Sequence, residues 1–139
     1  MEIESDPKRG VGKTVLVVDD NAVIRKIVAT AFLSDGFKTC AEAENGKEGI
    51  EVAKQIKPDV ITLDLSMPVM NGLEAAPRLR KLFPSTPIIL FTMYVTTQLK
   101  IEASKVGVNL VLSKTAPLTT LVRKAHELMG DDYVQAPKR

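Results

Sequence analysis

Five short apolar runs separated by amphipathic stretches predict an α/β fold: a doubly wound, five-stranded parallel sheet flanked by five helices. The runs are Thr14–Val18, Phe37–Glu42, Val60–Asp64, Pro87–Thr92 and Val108–Leu112. Four are rich in Val, Ile and Leu with little polar alternation, the pattern of strands buried on both faces of a parallel sheet. The stretches between them space apolar residues three and four apart, as helices with one buried face do. Strand–helix units in succession imply an open sheet with helices on both sides, and right-handed crossovers leave few topologies.

Each element has its own signal. After the first strand, Ile24, Ile27, Val28, Ala31 and Phe32 form one stripe, stopped by Gly36. A residue without a Cβ can leave a helix through a left-handed turn. Phe37–Glu42 is the most polar run and reads as an edge strand. Asn45 followed by Glu48 has the spacing of a capping box. The helix it opens turns Ile50, Ala53 and Ile56 inward and ends before Pro58, because proline disfavours helical backbone in the residue before it. Asn71 and Glu74 repeat the capping signal ahead of Leu73, Ala76, Leu79 and Leu82. Pro77 falls a turn into that helix, where its missing N–H is costly unless the helix starts late. Leu99, Ala103 and Val106 mark a weaker fourth helix. Leu118, Leu121, Val122, Ala125 and Leu128 mark a fifth, closed by Gly130.

The folded unit is expected over residues 13–130, with 1–12 a flexible N-terminal extension and 131–139 a C-terminal tail. A chain of 139 residues fits one domain. A formal charge of +2 is too mild to argue for nucleic acid. Cys40 is the only cysteine, which excludes an internal disulfide and a thiolate-built zinc site. The simplest expectation is a cytoplasmic protein. Met1 to Lys13 mixes both charge signs with little apolar content, unlike a signal peptide. No apolar run approaches the roughly 20 residues that cross a bilayer.

In open α/β sheets the functional crevice lies beyond the carboxyl ends of the strands. Polar residues collect there. Asp19 and Asp20 follow the first run, Asp64 closes the third, Thr92 closes the fourth, and Lys114 lies just past the fifth. Three carboxylates in one pocket repel one another and cannot all stay ionised without a cation. A hard divalent ion with oxygen ligands, Mg²⁺ above all, relieves that repulsion. Three carboxylates against Mg²⁺ and one ammonium sum to about zero charge. A phosphoryl group can then reach one carboxylate without large uncompensated charge. A carboxylate that forms an acyl phosphate is known covalent chemistry. Thr92 can donate a hydrogen bond to a phosphoryl oxygen.

The segment Val17-Val18-Asp19-Asp20-Asn21 resembles the start of the response-regulator receiver domains of two-component signalling. Leu63-Asp64-Leu65-Ser66-Met67-Pro68-Val69-Met70-Asn71-Gly72-Leu73-Glu74 resembles their D-x-x-M-P-x-M-[DN]-G-x-E signature. Pro87 to Thr92 and Ser113-Lys114 complete the set in order, so the likeness covers about residues 13–130. It implies a flavodoxin-like sheet of order 2-1-3-4-5. It also implies that Asp64 accepts a phosphoryl group from a sensor histidine kinase or histidine phosphotransfer protein. Asp20, Asp64 and the main-chain carbonyl of Ser66 would ligate Mg²⁺ (or Mn²⁺), with Asp19 acting mainly through a metal-bound water. Thr92 would reorient toward the phosphoryl group and Lys114 would contact it. Such a protein catalyses only its own phosphorylation and dephosphorylation, with no separate substrate.

About nine residues follow Gly130, too few for an output domain, so the expectation is a stand-alone receiver that signals by protein–protein contact. The face of the fourth helix, fifth strand and fifth helix would meet a downstream protein target or a second copy in a homodimer. No direct nucleic-acid or membrane contact is expected. Alternatives are a receiver excised from a DNA-binding transcriptional regulator and an interaction module that is never phosphorylated. An NTPase reading of Gly12-Lys13-Thr14 fails because Pro7 stands where the phosphate-binding loop needs glycine. A dehalogenase-like phosphohydrolase would need a second acid where Ser66 stands.

Several positions depart from the family pattern. Thr115 follows Lys114, where a proline with a cis bond is usual. Val111 occupies the place of the switch aromatic; Tyr94 reads either as a partial substitute for it or as a half-buried loop aromatic. Met93 replaces a small residue and is expected to screen the phosphoryl group from water. Elsewhere, His126 is expected to pack at the boundary of the last helix and Cys40 within the edge strand. Lys100, Lys105, Arg123 and Lys124 give the last two helices a basic tint, read first as a solvated face and second as a patch for an acidic partner.

Overall fold

The computed structural model describes residues 12–130. The expected N-terminal extension, up to residue 11, and the tail from 131 to 139 lie outside the described residues. Ten elements alternate: β1 (Thr14–Val18), α1 (Ala22–Ser34), β2 (Thr39–Ala43), α2 (Gly46–Ile56), β3 (Val60–Leu63), α3 (Gly72–Leu82), β4 (Ile88–Thr92), α4 (Thr97–Lys105), β5 (Leu110–Ser113) and α5 (Leu118–Met129). The five strands form one parallel sheet in the order β2-β1-β3-β4-β5.

The sheet divides the core in two because successive side chains of a strand face opposite ways. Leu16, Val18, Ile61, Leu63, Ile88 and Leu90 pack against α2, α3 and α4 through Ile50, Ala53, Ala76, Leu79, Leu99 and Ala103. Val15, Val17, Val60, Ile89 and Phe91 pack against α1 and α5 through Val28, Phe32, Leu121, Val122 and Ala125. β1, β3 and β4 are therefore buried on both faces, while the edge strands β2 and β5 are only half-buried.

Two strands start two residues later than the apolar runs suggest, for one reason. Phe37 and Val108 end helices instead of beginning strands. Gly36 (φ 100°) sends its N–H to the Leu33 carbonyl, and the Phe37 N–H reaches back to Phe32. Gly107 (φ 96°) and Val108 do the same with Ser104 and Ala103. This is the Schellman closure, in which the residue after the glycine folds its side chain onto the last turn. Phe37 accordingly stacks edge-on against Phe32, with centroids 4.9 Å apart.

The helix stripes are narrower than expected. Ile27, Leu82 and Leu128 are exposed, while Ala29 and Ala75 are buried instead. His126 does not pack at a boundary. It is fully buried, with Nε2 2.6 Å from Oδ2 of Asp35 at the end of α1. α3 does not start late: it begins at Gly72 with a complete Asn71–Glu74 capping box, leaving Pro77 in its interior. Pro77 lies on the exposed face, where water can reach the carbonyl that its ring deprives of a donor. α2 has half a box. Asn45 accepts from the Glu48 N–H, but the Glu48 carboxylate takes the N–H of Glu44.

At the sheet edge remote from the acids, Arg80 binds the carbonyls of Gly107, Phe83, Pro84 and Thr86 and Oδ1 of Asn109. Asn109 Oδ1 also takes the Ile88 N–H. One guanidinium thus ties α3 to the starts of β4 and β5.

Candidate functional site

The acids come together because their strands are neighbours. As the chain leaves β1, the Asp19 N–H pairs with the Ala43 carbonyl of β2 at 3.0 Å. Its Oδ1 accepts the Asn21 N–H at 2.9 Å, and Asn21 in turn caps α1 through the Val23 and Ile24 N–H groups. Asp64 leaves β3 with its N–H on the Val18 carbonyl and its Oδ1 accepting the Leu65 N–H at 2.8 Å. Carboxylate oxygens of Asp19, Asp20 and Asp64 lie within 4.8 Å of one another.

Lys114 reaches the same place from β5. Its N–H is held by the Thr92 carbonyl at 2.8 Å. Its Nζ is 2.6 Å from Asp19 Oδ2 and 3.3 Å from Asp64 Oδ1. Asp19 and Asp64 are buried. Asp20 is exposed, and its carboxylate has no partner among the described residues. Burial first, and then the Asp19 charge, push the Asp64 carboxyl above its ordinary range, with Lys114 opposing. Burial alone would lower the Lys114 ammonium, but the hydrogen bond and charge of Asp19, with those of Asp64, leave it raised.

Three ionised carboxylates facing one ammonium leave an excess of negative charge. The donor set is all oxygen, one member is unpartnered and open to solvent, and the geometry is compact. That set fits a hard divalent cation of the Mg²⁺ type. Ser66 is exposed in the loop after β3, and its carbonyl has no partner among the described residues. The Thr92 hydroxyl is buried and likewise unpartnered there.

The loop from Asp64 to α3 is held tightly. Gly72 donates to the Leu65 carbonyl, and a Cβ at Gly72 would lie 2.3 Å from the Asp64 carbonyl oxygen. Gly46, opening α2, donates to the Met70 carbonyl, which a Cβ there would also strike. Between them, the Met70 N–H bonds the Pro68 carbonyl at 2.7 Å across Val69, whose φ is +69°. This three-residue turn forces a β-branched residue into a region it rarely adopts.

The departures from the family pattern have local structural outcomes. The Lys114–Thr115 bond is trans, as are all peptide bonds of the described residues. Thr115 supplies an N–H that proline would lack, and donates it to Ser113 Oγ at 3.1 Å. Val111 is half-buried against the α2–α4 side of the core. Tyr94 is 81% exposed, so it does not stand in for an aromatic on β5. Met93 is 52% exposed. Cys40 is half-buried in β2, where burial above all pushes its thiol up to about 12. Arg123 and Lys124 both pair with Glu127 on their own helix, as a solvated face does. A hollow of about 280 Å³ between α1 and α5, lined by Ala31, Leu118 and Val122, holds none of the acids.

Arg25 escaped the sequence reading. Its Nη1 donates to the Asp19 main-chain carbonyl at 2.7 Å and its Nε to Glu42 Oε1 at 3.2 Å. A basic residue on the polar side of α1 gives no sign that it folds back onto the preceding loop.

Residues 15–126 match the response regulator receiver domain family. The chemotaxis protein CheY of Thermotoga maritima is 38% identical over 96 residues, covering 69% of this chain and 80% of that one. The phosphate regulon transcriptional regulatory protein PhoB of Pseudomonas aeruginosa is 40% identical, covering 75% of this chain and 46% of its own length. The regulatory protein AtoC of Escherichia coli is 30% identical, covering 86% of this chain but 29% of its own. This chain therefore spans less than half of either regulator. Among solved structures, chemotaxis protein CheY4 of Vibrio cholerae superposes with a TM-score of 0.79 at 30% identity, covering 84% of this chain and 98% of that one. The response regulator domain of Thermotoga maritima CheB does so at 0.75 and 29%, covering 87% and 98%.

Proposed function

The chain belongs to the response regulator receiver domain family of two-component signalling, and from that premise we propose that it is a phospho-switch whose acceptor is Asp64. The observation that carries this reading is the convergence of Asp19, Asp20 and Lys114 on Asp64 at the end of a central strand. An Asp64 carboxylate oxygen bonds to phosphorus as the P–N bond of a donor phosphohistidine breaks, and the electron pair stays on the imidazole nitrogen. Hydrolysis of the acyl phosphate later returns the carboxylate and free phosphate. Asp20, Asp64 and the Ser66 carbonyl would hold Mg²⁺ (or Mn²⁺), with Asp19 acting mainly through a metal-bound water, and the ion would neutralise charge on the transferring group. Lys114 leaves Asp19 to contact a phosphoryl oxygen, and the Thr92 hydroxyl donates to another.

The donor is a sensor histidine kinase or a histidine phosphotransfer protein in the cytoplasm. A downstream protein meets the α4–β5–α5 face, where Lys100 and Lys105 are exposed, and the same face can join two copies. No helix among the described residues is long and apolar enough to cross a membrane. The partial coverage of PhoB and AtoC favours a second setting for the same chemistry, a receiver within a longer transcriptional regulator.

The test is incubation with acetyl phosphate and Mg²⁺, followed by intact-mass analysis. One phosphoryl adduct is expected on the wild type, and none without Mg²⁺ or in Asp64→Asn. No wild-type adduct, or one that persists in Asp64→Asn, would refute the assignment.

A further inference from the structure

Asp20 presents a mechanical problem. Its carboxylate is exposed and has no partner among the described residues. Asp19 and Asp64, by contrast, are fixed by Lys114 and by main-chain N–H groups. The direction of the Asp20 side chain is therefore set by its own backbone, beginning with the Asp19–Asp20 peptide. The carbonyl of that peptide accepts Nη1 of Arg25 at 2.7 Å. Arg25 extends from the first turn of α1, and its guanidinium is turned by Glu42 of β2, whose Oε1 is 3.2 Å from Nε. Glu42 lies beside Val17 in the β1–β2 register, and Lys26 occupies its other oxygen. The pair is mostly buried, with side-chain exposures of 18% and 26%.

We propose that Arg25, oriented by Glu42, is a positioning residue for the divalent-cation site: it fixes the peptide plane from which Asp20 extends toward the metal. The inference rests on the Mg²⁺ reading above. A flat, two-pronged donor is needed, because one prong must hold the carbonyl while the other is held by the carboxylate. Groups that orient a metal ligand without touching the metal commonly alter affinity by about 10- to 100-fold when removed.

The sign of the effect separates this role from simple electrostatics. Arg25 is a positive charge beside an acidic site. If charge alone mattered, Arg25→Met would tighten cation binding. Positioning requires the opposite.

The experiment is calorimetric titration of the full chain with MgCl₂ alone, at a temperature where circular dichroism finds each variant folded. The expected result is about a 10-fold weaker Mg²⁺ affinity for Arg25→Met. Glu42→Gln, which keeps an acceptor for Nε, should stay close to wild type. In an Asp20→Asn background, Arg25→Met should have little further effect, because the ligand it places has changed. If Arg25→Met does not fold, Arg25→Lys replaces it. Its single ammonium keeps the charge but cannot hold both partners, so weaker binding is again expected. Equal or tighter Mg²⁺ binding in the folded variant overturns the inference and leaves the metal site standing. A wild type that binds no Mg²⁺ overturns the site and the inference with it.

Discussion

Replacing Lys114 with methionine removes the only ammonium that faces Asp19 and Asp64 among the described residues. Methionine keeps most of the stem and deletes the charge. The ammonium side chain is 10% exposed, and its two partners are 4% and 8% exposed. Removing one partner of a buried ion pair costs about 3–5 kcal/mol. The exposed Asp20 rim lets some water in, so the lower end applies, about 3 kcal/mol without metal. For a domain of this size that is roughly 12 °C in melting temperature. The deficit should depend on pH. The folded Asp64 carboxyl is raised, so its contribution favours folding at low pH and is lost as pH rises through that folded value. Lys114 restrains that rise, so its removal widens the loss, and the variant's deficit should grow from acid toward neutral pH. The Lys114 ammonium is itself raised from 10.5 and stays charged throughout that window. Mg²⁺ should then restore more stability to Lys114→Met than to the wild type, since the cation no longer competes with an ammonium. At about ten times its Kd, a ligand adds roughly 1.4 kcal/mol, and a tenfold tighter site about 2.7. The assay is thermal unfolding by circular dichroism in EDTA and in MgCl₂ across that pH range. Equal Mg²⁺ gains in both proteins would refute the competition between ammonium and metal. A deficit that shrinks as pH rises would refute the charge argument.

Three other perturbations address single features. Val69 is 76% exposed and held at φ +69°, so Val69→Asn should relieve backbone strain and raise stability by about 1 kcal/mol; a urea midpoint that does not rise would show the turn to be unstrained. Arg80→Met leaves the part-buried carbonyls of Phe83, Thr86 and Gly107 without their charged donor, at about 1 kcal/mol each, or about 3 in all. A midpoint shift below a third of that, with the denaturant slope unchanged, would mean water replaces the guanidinium. Met93 lies next to Thr92 and is half covered; Met93→Ala should shorten the acyl phosphate half-life about threefold, roughly 0.7 kcal/mol of barrier, and equal half-lives would remove the shielding argument.

The acid pocket was legible because each of its members ends or follows a strand, and a parallel sheet brings strand ends together whatever their separation in sequence. The same logic placed Thr92 and Lys114. Phe37 and Val108 misled because an apolar residue can seal a helix as well as start a strand, and a run of hydrophobicity does not say which. The glycine just before each is the signal that distinguishes the two. The His126–Asp35 contact joins residues 91 apart, and no local pattern encodes it. Nothing in the sequence singles out Arg25 or Arg80, because hydrophobic spacing tells which way a Cα points, not where a long side chain folds back. Val69 carried no warning, since the strained position itself is neither glycine nor asparagine.

The close approach at Gly72 has an evolutionary corollary. The wall it abuts is the carbonyl of Asp64 itself, 2.3 Å from where a Cβ would be. Any side chain there displaces the backbone of Asp64, so the inner side of the site has almost no mutational tolerance. The residues that follow the strand ends are exposed instead: Asp20, Ser66, Met93 and Tyr94. Substitutions at Ser66, Met93 and Tyr94 alter what a visiting molecule meets without shifting Asp64. The surface chemistry around the pocket can therefore diverge between descendants of this chain while the geometry at Asp64 is inherited intact.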